Sequence, residues 1–282
     1  MKKWFVISLT MAMLSVPAVV FADESSQSNE GTVIVVDVWD AEESDIHEEE
    51  PFIPGDIDKA ALAPEDVNKS IIGTDDRVMV NDPYSYPFSA IALMNVTAKC
   101  GDSWSSTAFM VGPDRLITAS HCLVCNEHSS WAECIDFYFG FNNYSDYRYH
   151  YGGKWTAYAG NIYDDHEYSI VNDFGVIKLY DNVGDIVGWF GTYWGMSDSS
   201  IESELLYEAG YRDGRIGYDL GFVKVLDNDH VYYTLDTVPG YSGGPIFTAD
   251  NYAVGVNIAE RDIDNIGFRL SNKVKNYLDS LE

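Results

Sequence analysis

Residues 70–282 are a succession of short apolar runs separated by turn-forming residues, and this pattern restricts the fold more than any other feature of the sequence. Runs such as FSAIALMNVTA, RLITAS, FGVIKLY and YAVGVNIA follow one another with glycine, aspartate and asparagine between them. Short apolar runs at such close intervals predict an all-β barrel or sandwich. A stretch of about 210 residues is long enough to form a pair of barrels.

The last run, NKVKNYLDSLE, departs from this pattern. Its apolar residues recur at helical spacing and fall on one face: Val274, Tyr277, Leu278 and Leu281. We therefore predict a C-terminal helix whose apolar face docks on the β-rich domain.

The N-terminus predicts export. Residues 1–22 contain two lysines, an apolar run, and Ala22 with Val20 two positions before it, which is the pattern of a secretory signal peptide. A membrane anchor is the alternative, but serine, threonine and proline interrupt the run, and no later segment is long enough to cross a bilayer. We expect a secreted protein with no membrane association after the signal is removed.

Acidic residues dominate the charge of the chain. It has 45 Asp and Glu against 17 Lys and Arg, a formal net charge of −28. Such a chain should repel nucleic acid and anionic membranes, so neither is expected as a partner. Residues 23–69 stand apart because they are acidic, poor in aromatics and interrupted by proline. This composition argues against a packed core of their own.

Four cysteines, Cys100, Cys122, Cys125 and Cys134, lie within 35 residues of one another. An even number in an exported protein predicts two disulfides, for which three pairings are possible. We favour Cys100 with Cys122 and Cys125 with Cys134. A zinc site is the alternative, since CLVC follows His121, but the spacings are not those of a familiar zinc module. No cofactor or metal is expected.

The stretch LDTVPGYSGGPIF, residues 235–247, places a single serine, Ser242, among three glycines. One interpretation is an ordinary Gly/Pro-rich turn between two strands. The other is a nucleophile on a sharp turn, whose backbone N–H groups would face a developing oxyanion.

A serine nucleophile needs a base, and the base needs a third group that orients it. His121 ends the run RLITASH, where an imidazole can emerge at the end of a strand. The other five histidines stand in polar, aromatic or loop-like surroundings. Asp173, in VNDFGVIKLY, immediately precedes an apolar strand, a place where a carboxylate can be partly buried and hydrogen-bonded.

The segments TASHC, NDFGVIKL and PGYSGGP occur in the order His, Asp, Ser and resemble the chymotrypsin-fold serine peptidases. SIIGTDDRVMV, FMVGPDRLITASHC and YTLDTVPGYSGGPIF are more closely similar to the bacterial glutamyl endopeptidase, or V8-like, branch. The resemblance covers the chain from about Ser70 to the end. It implies two six-stranded antiparallel β-barrels with the active site between them and a C-terminal helix.

The resemblance implies a monomeric serine endopeptidase that cleaves proteins or peptides through an acyl-enzyme. Ser242 would be the nucleophile, His121 the general base and then acid, and Asp173 the group that holds the imidazole. The N–H groups of Gly240 and Ser242 would form the oxyanion hole. A non-catalytic or single-target binding protein on this scaffold is the alternative; the retained triad argues against it, whereas an obstructed substrate pocket would not.

The resemblance also implies processing. The mature domain would span residues 70–282, released when an activating protease cuts between Lys69 and Ser70, and residues 23–69 would be a propeptide. An unstructured spacer is the alternative. Tyr241 occupies the position of the aspartate that receives the new N-terminus in trypsin-like enzymes, a departure that the V8-like branch shares.

The S1 pocket departs from the glutamyl endopeptidases. Thr237 matches the family threonine, but Asn257 stands where the family has a histidine, and an amide adds no positive charge. Glu260 would lie near the pocket mouth and repel an acidic side chain. Asp236 corresponds to the aspartate that gives trypsin its preference for Lys and Arg. The P1 preference therefore stays open: glutamate by family, lysine or arginine by the pocket residues.

Overall fold

A computed structural model describes residues 19–20, 31–36, 47–60, 62, 77–160, 162–164, 167–225, 227–260 and 264–281. Most of the regular structure in these ranges is β-strand. The strands are β1 (Val19–Val20), β2 (Gly31–Val36), β3 (His47–Glu49), β4 (Val78–Met79), β5 (Ile91–Ala98), β6 (Ser103–Met110), β7 (Arg115–Thr118), β8 (Val124–Cys125), β9 (Ser130–Phe139), β10 (Tyr149–Tyr151), β11 (Trp155–Gly160), β12 (Tyr163–Asp164), β13 (Glu167–Tyr168), β14 (Gly175–Leu179), β15 (Gly191–Trp194), β16 (Leu206–Arg212), β17 (Arg215–Gly221), β18 (Val223–Val225), β19 (His230–Tyr233), β20 (Pro245–Thr248), β21 (Tyr252–Glu260) and β22 (Asn265–Arg269). The helices are α1 (Gly184–Val187), α2 (Asp198–Ser203) and α3 (Asn272–Ser280), with 3-10 turns at Phe88–Ala90, Ser120–Leu123 and Ile170–Asn172.

Two large sheets form the two halves of the domain. In the first, six strands lie in the order β11-β14-β7-β6-β5-β9, and in the second six lie in the order β19-β22-β21-β20-β16-β17. Short strands extend both sheets at their margins. The predicted pair of six-stranded barrels is therefore confirmed, and the four apolar runs quoted above correspond to β5, β7, β14 and β21.

The C-terminal helix is also confirmed. α3 follows β22 of the second sheet but packs on β14 of the first. Val274, Leu278 and Leu281 are buried, and the Tyr277 ring lies 5.7 Å from that of Phe174. The predicted apolar face thus fastens one barrel to the other close to Asp173. No helix among the described residues has the length and apolar character needed to span a bilayer.

The acidic N-terminal segment packs on both barrels. β2 pairs in parallel with β11 of the first sheet, and β3 pairs antiparallel with β15 of the second. Val33 and Ile57 are buried in the domain core, and Phe52 stacks on Trp189 with ring centroids 4.3 Å apart. The described residues of the segment thus contribute to the core of the domain.

Two of the predictions for the N-terminus concern parts of the chain that the structure does not describe. Most of the predicted signal peptide, residues 1–18 and 21–22, lies outside the described residues, as does the bond between Lys69 and Ser70.

Candidate active site

His121 and Asp173 are brought together by two neighbouring strands. His121 lies in the 3-10 turn after β7, Asp173 lies just before β14, and these strands pair with Thr118 opposite Gly175. His121 Nδ1 is 2.7 Å from Asp173 Oδ2, and the His121 backbone N–H donates to Asp173 Oδ1 at 2.9 Å. Asp173 is fully buried. One carboxylate thus fixes both the backbone and the ring of the histidine.

The surroundings of His121 change its basicity. Burial acts to lower the pKa of the imidazole, but the Asp173 carboxylate, with help from Cys122, outweighs it and raises the pKa well above the ordinary histidine value. The direction follows because an adjacent negative charge stabilises the imidazolium. This is the electrostatic environment required of a base that must hold a proton during a reaction.

Ser242 lies on a turn that Thr107, from the first barrel, holds on both sides. The Thr107 N–H donates to the Ser242 carbonyl at 3.0 Å, and its hydroxyl donates to the Gly240 carbonyl at 2.8 Å. The same hydroxyl accepts a hydrogen bond from the Tyr211 N–H at 2.9 Å. The turn is therefore tied to β6 across the boundary between the two barrels.

Two glycines beside Ser242 allow this close approach. Gly240 and Gly243 have φ values of 106° and 84°, which side chains rarely tolerate. A Cβ on Gly243 would lie 2.1 Å from the Thr107 carbonyl oxygen and 3.2 Å from the Ala119 nitrogen. The turn thus abuts the chain that leads to His121, which brings the three predicted triad residues into one region.

The two predicted oxyanion donors are oriented through their own peptide planes. In a trans peptide the N–H and C=O point in opposite directions. The carbonyl of Pro239, in the plane of the Gly240 N–H, accepts from the Arg212 guanidinium at 3.3 Å. The carbonyl of Tyr241, in the plane of the Ser242 N–H, accepts from the Gly244 N–H at 2.8 Å. In the described part of the chain no protein acceptor takes either N–H.

The predicted S1 residues Thr237 and Asn257 are in direct contact. The Asn257 amide nitrogen donates to Thr237 Oγ1 at 2.7 Å and to Glu208 Oε1 at 3.3 Å, and its oxygen accepts from the Tyr233 hydroxyl at 2.7 Å. Both N–H groups of the amide are thereby used within the protein. Because the Thr237 hydroxyl oxygen accepts from Asn257, the hydroxyl proton points away from Asn257.

Glu208 is an acidic group that the sequence analysis did not identify. It is fully buried on β16, directly opposite Asp219 on β17. Burial raises the pKa of Glu208 well above its ordinary value and Asp219 raises it further, while Arg77 and the Asn257 amide oppose the shift. These influences favour the neutral acid. Glu208 Oε2 has no hydrogen-bond partner among the described residues.

The other two predicted S1 residues are Asp236, for which the structure gives a backbone contact, and Glu260, whose side chain it does not describe. The Asp236 N–H donates to Asp219 Oδ2 at 2.7 Å, which places two acidic residues side by side next to Thr237. Glu260 is the last residue of β21, and its side chain lies outside the described parts of the structure.

Comparison with known proteins identifies the family. A family model described as "Trypsin-like peptidase domain" matches residues 106–256, which is more than half of the chain and includes His121, Asp173 and Ser242. The chain belongs to the trypsin-like peptidase family. It is a serine endopeptidase by family, as the sequence resemblance implied.

Two curated relatives are similar to the peptidase. An "Extracellular metalloprotease" of Bacillus subtilis is 28% identical over 226 residues, covering 73% of this chain and 68% of its own. A "Glutamyl endopeptidase" of Bacillus licheniformis is 31% identical over 191 residues, covering 64% of this chain and 55% of its own. The peptidase therefore spans only part of the length of each relative.

Solved structures support the fold. A structure titled "Structure of Glu endopeptidase in complex with MPD" has a TM-score of 0.59 at 21% identity and covers 74% of the peptidase and 98% of its own chain. A structure titled "HL collagenase" has a TM-score of 0.55 at 13% identity and covers 72% and 96%. At these identities the likeness concerns the fold alone.

A cleft of about 610 Å³ lies beside the turn that carries Ser242. Gly240 and Pro239 form one side, Arg212 lies next to them, and Phe141 and Tyr144 contribute aromatic rings. The cleft runs between the two barrels, since Tyr144 belongs to the first and Arg212 to the second. It is large enough to receive several residues of an extended peptide.

The predicted disulfides are not formed. All four cysteines are thiols. Cys125 lies opposite Ser130 across the β8–β9 pair, and Cys134 is four residues farther along β9, about 13 Å away at the rise of a strand. A disulfide between these two is therefore out of reach. Cys122 is buried with its sulfur 3.7 Å from His121 Nε2, whereas Cys100 is exposed in the turn between β5 and β6.

Thr107 and Glu208 are the main site residues that sequence reasoning missed. Thr107 gave no signal, because the Gly240 carbonyl that it contacts is 133 positions away. Glu208 did give one: it is the single charged residue inside the run LLYEAGY, at a position that β16 buries.

Proposed function

We propose that the protein is a secreted serine endopeptidase in which Ser242, His121 and Asp173 form the catalytic triad. The observation that carries the proposal is the 2.7 Å contact between His121 Nδ1 and buried Asp173, with Ser242 on a turn that abuts the same end of the first barrel. Catalysis by a serine requires this order of groups: nucleophile, base and orienting acid.

The chemistry follows from these groups. His121 Nε2 removes the Ser242 hydroxyl proton as Oγ attacks the substrate carbonyl, and Asp173 accepts from Nδ1–H and stabilises the imidazolium. The Gly240 and Ser242 N–H groups bind the oxyanion of the tetrahedral intermediate. The imidazolium then gives its proton to the leaving amine, which leaves an acyl-enzyme. Water, deprotonated by His121, hydrolyses this ester and restores Ser242.

We infer that S1 prefers a basic P1 side chain over glutamate. The Asn257 N–H groups are already used by Thr237 and Glu208, so the amide cannot bind a substrate carboxylate without losing one of those bonds. Asp219 and Asp236 add negative charge beside Thr237. An incoming lysine or arginine would also favour the ionised form of Glu208. The name of the Bacillus licheniformis relative points instead to glutamate.

We also propose that residues 1–22 are a signal peptide and residues 23–69 a propeptide, removed by cleavage between Lys69 and Ser70. The docking of β2 and β3 on the two barrels supports an inhibitory or folding role for this segment. The mature peptidase domain would comprise residues 70–282.

Cleavage-site profiling tests the function and the P1 preference together. The processed form is incubated with a diverse peptide mixture, and the residue before each cut is read by mass spectrometry, with Ser242→Ala as the inactive control. We expect Ser242-dependent cuts after Lys and Arg, and in Asn257→His a shift towards Glu. Cuts after Glu in the unmodified protein would overturn the P1 inference alone. The absence of any Ser242-dependent cut would overturn the peptidase assignment in favour of a binding protein.

A further inference from the structure

A cluster of metal-ligating side chains lies outside the proposed triad and the S1 residues. Two ligands lie in the turn between β5 and β6, one ends β8 and one lies in the turn after β8, and one atom from each of the four lies within 4.8 Å of the others. We call this set the turn cluster: Cys100, Asp102, Cys125 and His128. Among the described residues no other such group was found.

The distances within the turn cluster are close to the edges of a zinc tetrahedron. His128 Nδ1 is 2.8 Å from Asp102 Oδ2, and Cys125 Sγ is 3.1 Å from that oxygen and 3.6 Å from the imidazole nitrogen. Cys100 Sγ is 3.6 Å from Asp102 Oδ2. Zinc bonds of about 2.0–2.3 Å at tetrahedral angles would put ligand atoms about 3.3–3.8 Å apart. Only small outward movements would admit the ion.

The backbone holds the two turns together independently of any ion. The Cys100 N–H donates to Ser130 Oγ at 2.9 Å, and the Lys99 N–H donates to the Trp131 carbonyl at 3.2 Å. Gly101, with φ of 94°, closes the turn between β5 and β6. The ligands are therefore presented by a preformed frame.

The chemistry of the four ligands favours zinc. Thiolates, a neutral imidazole and a carboxylate each offer a lone pair to a divalent cation once the proton is released. Two soft thiolates and an imidazole select zinc over calcium or magnesium.

We propose that the turn cluster binds one zinc ion, which fastens the segment following His121 to the turn between β5 and β6. Cys125 ends β8, which directly follows the 3-10 turn that carries His121. Asp102 and Cys125 line the same cleft as His121, so the ion would brace one wall of the active site. A disulfide between Cys100 and Cys125 is the competing arrangement, and it would leave Asp102 and His128 paired only with each other.

The test measures zinc in the full-length secreted protein, purified without a metal-affinity tag. We expect one zinc per chain by mass spectrometry of the metal and a protein mass that corresponds to reduced Cys100 and Cys125. His128→Asn and Asp102→Asn keep both cysteines and should bind zinc about 100-fold more weakly or worse, since loss of a group that merely hydrogen-bonds to a ligand already costs about 10–100-fold. Cys134→Ser is the matched control and should retain the zinc.

Cobalt(II) gives a second readout. Added to the zinc-free protein, it should produce the charge-transfer absorption of a cobalt–thiolate site, weaker in Cys125→Ser and absent when Cys100 and Cys125 are both replaced by serine, with circular dichroism showing that each variant is folded. The proposal is overturned if the folded unmodified protein binds no zinc when dialysed against it, or if peptide mapping finds Cys100 joined to Cys125. Equal loss of zinc in Cys134→Ser would also overturn it. None of these results bears on the Ser242-dependent cleavage described above.

Discussion

The hydroxyl of Thr107 donates a hydrogen bond to the carbonyl oxygen of Gly240 at 2.8 Å while accepting one from the N–H of Tyr211 at 2.9 Å. Thr107 stands on β6 of the first barrel, and the other two residues belong to the second. One small side chain therefore joins the barrels at the turn that carries Ser242. It fixes the Gly240–Tyr241 peptide, which lies between the two peptides that carry the proposed oxyanion donors.

Replacing Thr107 by valine keeps the shape and removes the hydroxyl. The change leaves the Tyr211 N–H and the Gly240 carbonyl without this partner, and an unpaired buried group costs about 1–3 kcal/mol of stability. We expect kcat to fall by about 10²-fold, as when one oxyanion donor is lost, with little change in KM. Steady-state kinetics on a peptide substrate measure both. Thr107→Ser should retain most activity, and an unchanged kcat in Thr107→Val would contradict the role.

The contact between His121 and Asp173 predicts a larger loss. In Asp173→Asn the amide can donate to Nδ1 and so favours the wrong imidazole tautomer, and we expect kcat/KM to fall by about 10⁴-fold without unfolding. The matched control is Asp185→Asn, because Asp185 is exposed on α1 and does not line the cleft beside Ser242. A loss of only a few-fold in Asp173→Asn would show that another carboxylate orients the base.

The pH dependence of activity should report the raised pKa of His121. Because only the neutral imidazole accepts the serine proton, kcat/KM should increase with pH through a pKa above about 6.5, the ordinary histidine value. The proton held by folded His121 also stabilises the fold at low pH, and this contribution is lost as the pH rises through the folded-state pKa. An acidic limb centred below the ordinary value would contradict the assignment.

Glu208 also makes the stability of the fold depend on pH, and here burial is the main cause of the raised pKa. Its raised pKa means that the folded protein keeps a proton which the unfolded chain releases above about pH 4.3, so stability falls as the pH rises from that value towards the folded-state pKa. Glu208→Gln keeps the oxygen that accepts from Asn257 and removes the titration. We expect the variant to melt higher at neutral pH, with a difference that shrinks towards pH 4.

A matched surface variant makes this comparison specific. Asp185→Asn removes one exposed carboxylate and should change the melting temperature little across the same pH range. If Glu208→Gln and the unmodified protein have parallel melting profiles between pH 4 and 8, Glu208 does not carry a raised pKa in the folded state.

The positions of His121 and Asp173 could be predicted because each depends on local sequence. RLITASH and NDFGVIKLY both show where a strand ends or begins, and paired strands bring such ends together. The C-terminal helix was predictable for the same reason: its apolar face is visible in eleven consecutive residues. These features need no knowledge of which distant segments meet.

The contacts of Thr107 and of the turn cluster depend on how distant strands are aligned with one another, and this alignment cannot be read from the sequence. An even number of cysteines favoured disulfides, but pairing of β8 with β9 places Cys125 opposite Ser130 and brings His128 towards Asp102 instead. Asn257 was recognised from its position relative to Ser242. That its N–H groups would be used by Thr237 and Glu208 became evident only once β16 and β21 were both in place.

The pairing of β2 with β11 and of β3 with β15 has a consequence for maturation. A cut between Lys69 and Ser70 would turn an intramolecular strand pairing into an association between two separate chains. Before the cut, the covalent link to the domain keeps the effective concentration of the segment high. After the cut, that concentration is only the concentration of the free peptide in solution. Dilution on leaving the cell would thus release the segment, and two sheet edges would become available to other extended chains.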